Sequence, residues 1–518
     1  MGKITYATMS ADDPALHRAY EEGLAAATSA IGQTHPLLIN GEKRYTGETF
    51  TERSPIDSDL VVGIYSQASD DDVDEAVAAA AAFQPEWEAT PWQERLAIIR
   101  RAAEIVDEET PTLAGFLTLE VGKNRLEALG DVSEAVAFID YYCDRLEESD
   151  GMSTAMGQYG VGDTNHSVLR PWGVWAVISP FNFPLALVAS PTSAALLTGN
   201  TVVLKPSNTG ALGSLLLADI YSRAGLPAGA LQVVTGGDEA GDRLAHHDHV
   251  DGVTFTGSYD VGMYLYRTVA TGRPKPVVCE MGGKNPAVVA ASADLDLAAE
   301  GVMRAAFGLS GQKCSANSRV YVERPAFREF LDLLTEKTDE ILLGDPRDRE
   351  TFLGPVIDGE AVDRFRSAVE AVREAGGEVL SGGEVVTDGD LARGNFVQPT
   401  VVTAPEDTWI WEKELFVPFV AVTSVDSLEE GIDKANDTIF GLTAGVFAGT
   451  DEEVDLFFQR IQAGVVYANR RAGSTTGAWP DIQPFGGWKG SGTSGAGSGG
   501  PWYMRSYVRE QARTLIRE

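Results

Sequence analysis

A layered α/β protein is the fold class the sequence predicts, on three observations. Segments with helical apolar spacing alternate with short apolar, β-branched runs, and Gly/Pro-bearing turns separate them. Asp71 to Phe83 reads as a helix, its acidic first turn complementing the positive end of the helix dipole. Gln93 to Glu109 repeats the helical spacing. Gly173 to Ser179 and Thr201 to Leu204 have the look of buried strands, with Pro184 to Leu197 as the crossover helix between them. Leu231 to Thr235 and Gly252 to Phe255 add two further strands. This βαβ series is the kind that holds nucleotides at its strand ends. A second α/β run extends from Pro276 to about Asn469. A Gly-rich stretch (486–500) and a strand-like tail (502–516) follow.

The 518 residues, 44% of them apolar, suffice for two to four structural units. Net charge is −35, from 76 acidic and 41 basic residues, and only 11 of the basic ones are lysine. That balance excludes nucleic acid as a default partner, because phosphate binding needs clustered Lys and Arg. Nor is there a basic amphipathic stretch for anionic membrane surfaces, or an 18-residue apolar run to span a bilayer. Acid excess with scarce lysine predicts a surface suited to a very salty cytoplasm, where ions screen self-repulsion. No basic-then-apolar leader is visible at the N-terminus, so a cytoplasmic location is expected.

Three cysteines cannot build a disulfide framework and share no metal-ligand spacing, so no metal is expected. Cys143 and Cys279 lie in apolar contexts and read as small core residues. Cys314, in G-L-S-G-Q-K-C-S-A-N-S-R, is surrounded by small polar residues, and the adjacent Lys313 would favour its thiolate. It is the candidate nucleophile. Glu280 ends an apolar run (277–279), where burial should raise its pKa toward that of a general base. Gly495, Gly497 and Gly500 spell G-x-G-x-x-G without the strand and helix a dinucleotide fingerprint needs. His246, His247 and His249 read as a polar turn.

Six strings in order resemble the aldehyde dehydrogenase superfamily, from about His35 to the C-terminus. They are P-F-N-F-P (180–184), L-K-P-S (204–207), F-T-G-S (255–258), E-M-G-G-K-N-P (280–286), G-Q-K-C-S (311–315) and K-E-L-F-V-P (413–418). The resemblance implies a Rossmann-type NAD(P)-binding domain (1–150 and 169–280), an α/β catalytic domain (281–487) and a small β oligomerisation flap (151–168 and 488–518). It therefore also implies a homo-oligomer, a dimer or higher. Cys314 would attack the aldehyde, Asn182 and the Cys314 N–H would hold the oxyanion, and Glu280 would activate the hydrolytic water. Lys205, Ser207, Gly257, Ser258, Glu414 and Phe416 would hold the cofactor, with Ile178, Ser179 and Phe181 lining its cleft. NAD is the expected cofactor. Asn208 stands where NAD-preferring relatives often carry an acid, which leaves NADP open, and Val417 replaces a usual glycine.

Within the superfamily, G-Q-K-C-S-A, S-E-A-V-A-F-I-D-Y-Y (133–142), the N-terminal extension and N-R-x-x-G-S-T-T-G-A-x4-Q-P-F-G-G (469–487) resemble the 1-pyrroline-5-carboxylate dehydrogenase branch. That branch oxidises glutamate γ-semialdehyde to glutamate. The implied substrate contacts are the amides of Gly477 and Ala478, the Ser315 hydroxyl, and Phe183 and Phe485 sandwiching the methylenes. The alternatives are oxidation of another acid semialdehyde, of succinate or 2-oxoglutarate, or a non-catalytic member that keeps the fold for binding or packing. Trp479-Pro480-Asp481 departs from the branch pattern, and Asp481 is expected to point outward.

Overall fold

The structure, a computed structural model, describes residues 13–158, 160, 162–471 and 479–517. Its first seven-stranded sheet has the order Val277–Met281, Gly252–Gly257, Val174–Ile178, Thr201–Lys205, Leu231–Val233, Leu37–Ile39, Glu42–Arg44. The first five strands run parallel and the last two are antiparallel. Parallel neighbours need crossover connections, and the helices that supply them cover the apolar, β-branched strands on both faces. Chain order reverses on either side of Val174–Ile178, so the crevice beyond its carboxyl end is the natural ligand position for such a sheet.

A second seven-stranded sheet has the order Glu378–Ser381, Thr400–Thr403, Phe419–Val425, Asn317–Glu323, Asn285–Val289, Thr443–Phe447, Val465–Ala468. All its pairings are parallel except the first. Separately, Val508–Ile516, Asp163–Pro171 and Ser153–Ala155 form a three-stranded antiparallel sheet. Among the described residues, no helix is long and apolar enough to cross a membrane.

Two boundaries differ from the sequence reading. The helix expected to stop at Phe83 runs Asp70–Ala89, through Pro85. Its start is fixed by a Ser69–Asp72 capping box, and its extension by buried Trp87, whose indole N–H donates to the Leu196 carbonyl at 3.1 Å. Tertiary anchoring there outweighs the helix-breaking tendency of proline. His246 is no turn residue: it ends the helix Asp238–His246, with Nε2 2.8 Å from the Thr268 hydroxyl. Cys143 and Cys279 are core residues, both fully buried.

Candidate active site

A cavity of about 490 Å³ opens at the sheet crevice, walled by strand ends of the first sheet and by loops leading into strands of the second, with Cys314 and Glu280 on its inner surface. Cys314 follows the helix Leu295–Phe307 through a tight turn in which Leu309, Ser310 and Gly311 all have positive φ (49°, 53° and 69°). Gly311 is needed there, because a Cβ would come within 2.2 Å of the Val417 carbonyl oxygen. The loop is clamped on both sides. Asn285 Nδ2 donates to the carbonyls of Cys314 (2.7 Å) and Ala316 (2.9 Å), and Gln312 Oε1 accepts from Ile357 N–H (2.8 Å).

Burial raises the Cys314 thiol pKa strongly, and the carboxylates of Glu414 and Glu280 raise it further. The expected help from Lys313 does not reach the sulfur, because its ammonium pairs with Glu127 at 3.2 Å, both groups being largely buried. The thiol therefore needs a base, not a neighbouring cation, to give up its proton.

Glu280 lies in the strand Val277–Met281, whose free edge is covered by the Gly-rich stretch. Met281 N–H donates to the Ser491 carbonyl (2.8 Å) and Thr493 N–H to that of Cys279 (3.1 Å). One Glu280 oxygen, Oε2, accepts from Gly487 N–H at 3.1 Å, and Oε1 is buried without a hydrogen-bond partner. Desolvation moves its pKa up to about 8, which the Gly487 hydrogen bond only partly offsets. Asn182 is buried opposite, its Nδ2 donating to the Gln312 carbonyl at 3.0 Å, which holds the amide against the Cys314 loop.

Toward the other end, Ile178, Ser179, Phe181, Lys205, Ser207, Gly257, Ser258, Glu414 and Phe416 all line the same cavity. Burial lowers the Lys205 pKa to about 8, and Ser179 Oγ is buried without a partner. Glu414 Oε1 accepts from Gly283 N–H at 2.9 Å, and burial raises its pKa to about 7. Phe416 is held at φ 57°, with its ring edge-on to Phe181 at 5.8 Å. Asn208 is absent from the wall. A second acid at this end is Asp238, at the start of its helix beside Lys205. No motif marked it, because it comes to Lys205 from beyond the next strand, Leu231–Val233. The hydroxyls, ammonium and carboxylates around this crevice suit the ribose and pyrophosphate of a dinucleotide.

An aldehyde dehydrogenase family model matches residues 43–512. The chain belongs to the aldehyde dehydrogenase family. It is 36% identical over 506 residues to 1-pyrroline-5-carboxylate dehydrogenase 1 of Halalkalibacterium halodurans, covering 96% of each chain. It superposes on Thermus 1-pyrroline-5-carboxylate dehydrogenase with bound NAD at a TM-score of 0.93, with 32% identity, covering 100% of this chain and 99% of that one. Proline utilization A from Bdellovibrio bacteriovorus matches at a TM-score of 0.91 and 33% identity. Its match covers 96% of this chain but only 52% of that longer one.

In this aldehyde dehydrogenase the expected substrate contacts are placed unevenly. Phe485 lines the cavity. Phe183 does not: its ring lies under the buried Lys123 ammonium, 3.6 Å from Nζ, and packs on the core. The lysine is itself paired with Asp131 at 3.0 Å, an arrangement that no local pattern in the sequence signals. Ser315 is buried beside Cys314 and off the cavity wall, its carbonyl accepting from the Thr443 hydroxyl at 3.3 Å. Gly477 and Ala478 lie outside the described residues. Asp481 is exposed, as expected. Val417, in place of the usual glycine, is buried in the core under the second sheet.

Proposed function

We propose that this chain oxidises L-glutamate γ-semialdehyde, formed from 1-pyrroline-5-carboxylate, to L-glutamate with NAD, as a step of proline breakdown. One observation carries the reading: a half-buried thiol, a base with pKa about 8 and an amide donor share a cavity that continues into a crevice fit for a dinucleotide. The relatives' names supply the substrate class.

The Cys314 thiol gives its proton to cavity water, and Sγ then bonds to the aldehyde carbon as the carbonyl π electrons move onto oxygen. Asn182 Nδ2 and the Cys314 N–H stabilise the developing oxyanion. NAD, held by Lys205, Ser207, Ser258 and Glu414, supplies the hydride acceptor that turns the thiohemiacetal into a thioester. Glu280 then takes a proton from water as its oxygen attacks the thioester carbon and the C–Sγ bond breaks. Residues 477–478 are assigned to the amino-carboxylate end of the substrate, and Phe485 to its methylenes.

The division into an NAD-binding part (1–150 and 169–280), a catalytic part (281–487) and an oligomerisation flap (151–168 and 488–518) belongs to the same proposal. So do assembly as a homo-oligomer in the cytoplasm and a molar-salt requirement from the −35 charge. The test is NAD(P)H formation in high salt from pyrroline-5-carboxylate, succinate semialdehyde and 2-oxoglutarate semialdehyde. A kcat/KM for pyrroline-5-carboxylate about tenfold above the others, a difference of some 1.4 kcal/mol in transition-state binding, supports the substrate assignment. Preference for another semialdehyde refutes it.

A further inference from the structure

Asn182 can stabilise an oxyanion only if its amide is held still, and contacts hold it from both sides. In front, Nδ2 commits one of its two hydrogens to the Gln312 carbonyl, at 3.0 Å, which leaves the other for a substrate oxygen. Behind, the chain passes through Phe183 into the helix Ala186–Leu197. That helix has no side-chain cap of its own, because Leu185 precedes it and an apolar side chain cannot accept from the first-turn N–H groups. Asp131 does so from 55 residues away, its Oδ1 accepting from Ala186 N–H at 2.8 Å.

Asp131 Oδ2 lies 3.0 Å from Lys123 Nζ, and the same ammonium sits over the Phe183 ring, 3.6 Å from its centroid. Both charged side chains are fully buried. The pair therefore grips the segment after Asn182 twice, at residue 183 and at residue 186. Its own footing is the turn between the helices Thr110–Val121 and Arg125–Glu148, and the start of the second. That helix start reaches the nucleophile loop as well. Asn124 caps it through Glu127 N–H at 3.0 Å, and Glu127 pairs with Lys313, next to Cys314, at 3.2 Å. One helix start thus braces both the segment that carries Asn182 and the loop that carries Cys314. A buried ion pair adds little net stability, because desolvating two charges offsets their attraction. What this one supplies, and an apolar pair of similar volume would not, is two directed contacts on one segment.

We propose that the buried Lys123–Asp131 pair is a positioning device for Asn182, fixing its amide against the Cys314 loop where the oxyanion develops. The inference rests on the proposed function, in which Asn182 donates to that oxyanion. Neither Lys123 nor Asp131 lines the cavity, so both act through the segment they grip. When Sγ bonds to the aldehyde carbon and the carbonyl π electrons move onto oxygen, the second Nδ2 hydrogen donates to that oxygen. The pair itself takes no part in the movement of protons or electrons. Releasing the Phe183 ring from the ammonium would loosen the segment and let the amide turn, weakening a bond that counts only in the transition state. The loss should therefore fall on the rate of NADH formation and not on the binding of NAD or aldehyde.

The test uses Lys123→Met/Asp131→Asn, Phe183→Leu and Asn182→Ala. The double change removes both charges together, so no buried charge is left unpaired, and the new amide can still accept from Ala186 N–H. Phe183→Leu keeps the ion pair and loses only the ring, so it answers even if the double variant does not fold. Single-turnover NADH formation is followed with enzyme in excess over whichever of the three semialdehydes the wild type oxidises fastest. It should slow about tenfold in the double variant and in Phe183→Leu, with steady-state KM and NAD affinity within about twofold of wild type. Alkylation of Cys314 by iodoacetamide, which develops no oxyanion, should also stay within about twofold. Added to Asn182→Ala, either change should slow the reaction no further, because the group it positions is gone. A wild-type rate in either variant while Asn182→Ala is slow, losses that add to that of Asn182→Ala, or alkylation slowed in step with NADH formation would overturn the inference and leave the proposed function standing. A wild-type rate in Asn182→Ala would instead refute the oxyanion role in the proposed function, and this inference with it.

Discussion

The two ends of the cavity are built differently. At the cofactor end, side chains sit at or just past the ends of consecutive parallel strands, so neighbours in space follow one another along the chain: Ile178 to Phe181, Lys205 to Ser207, Gly257 and Ser258. At the chemical end, Cys314, Glu280 and Asn182 come from three separate segments and are held by long-range clamps such as Asn285 to the Cys314 carbonyl. The difference teaches that local strand-end geometry suffices to bind, whereas positioning the reacting groups takes cross-chain hydrogen bonds.

Changes at the chemical end should therefore be severe and changes at the cofactor end graded. Replacing the nucleophile, Cys314→Ala, is expected to cut NADH formation by at least about a thousandfold while NAD binding, followed by fluorescence titration, stays near wild type. If binding were lost as well, the two ends would not be separable. Asn182→Ala is expected to lower burst and steady-state rates together by about a hundredfold, the cost of one oxyanion donor. A loss confined to KM would move Asn182 from the chemistry to substrate binding.

The smallest effect belongs to the cofactor end. Asp238→Asn removes the acid beside Lys205 and should raise kcat/KM with NADP severalfold, with little change for NAD. An unchanged NADP-to-NAD ratio would show that Asp238 does not face the 2′ position and would return the question to Asn208.

The same contrast explains what was legible in the sequence. The βαβ strands and their crevice residues were readable because local apolar runs and turn signals determine them. Cys314 and Glu280 were readable one at a time, as a thiol in a polar setting and an acid after an apolar run. Their union in one cavity depends on packing between the two sheets. What the sequence misdirected was long-range: Lys313 is adjacent in chain to Cys314 yet directs its charge to Glu127, 186 residues earlier. Likewise Phe183, next to Asn182, turns to Lys123 and not to the cavity. Asp238 left no signal, since it lies in no motif and only the fold brings it to the wall.

The central claim is that one base on the cavity wall, Glu280, governs release of the acyl group but not hydride transfer. Rapid mixing of wild type and Glu280→Gln with pyrroline-5-carboxylate and NAD, across pH, tests it most directly. The carboxylate form is the active one, so wild-type turnover should rise about tenfold as pH goes from roughly one unit below its pKa of about 8 to one unit above, then level off. Glu280→Gln should give a burst of about one NADH per site followed by turnover reduced at least about a hundredfold, with that pH rise gone. Full steady-state turnover in Glu280→Gln, with the pH rise intact, would contradict the account.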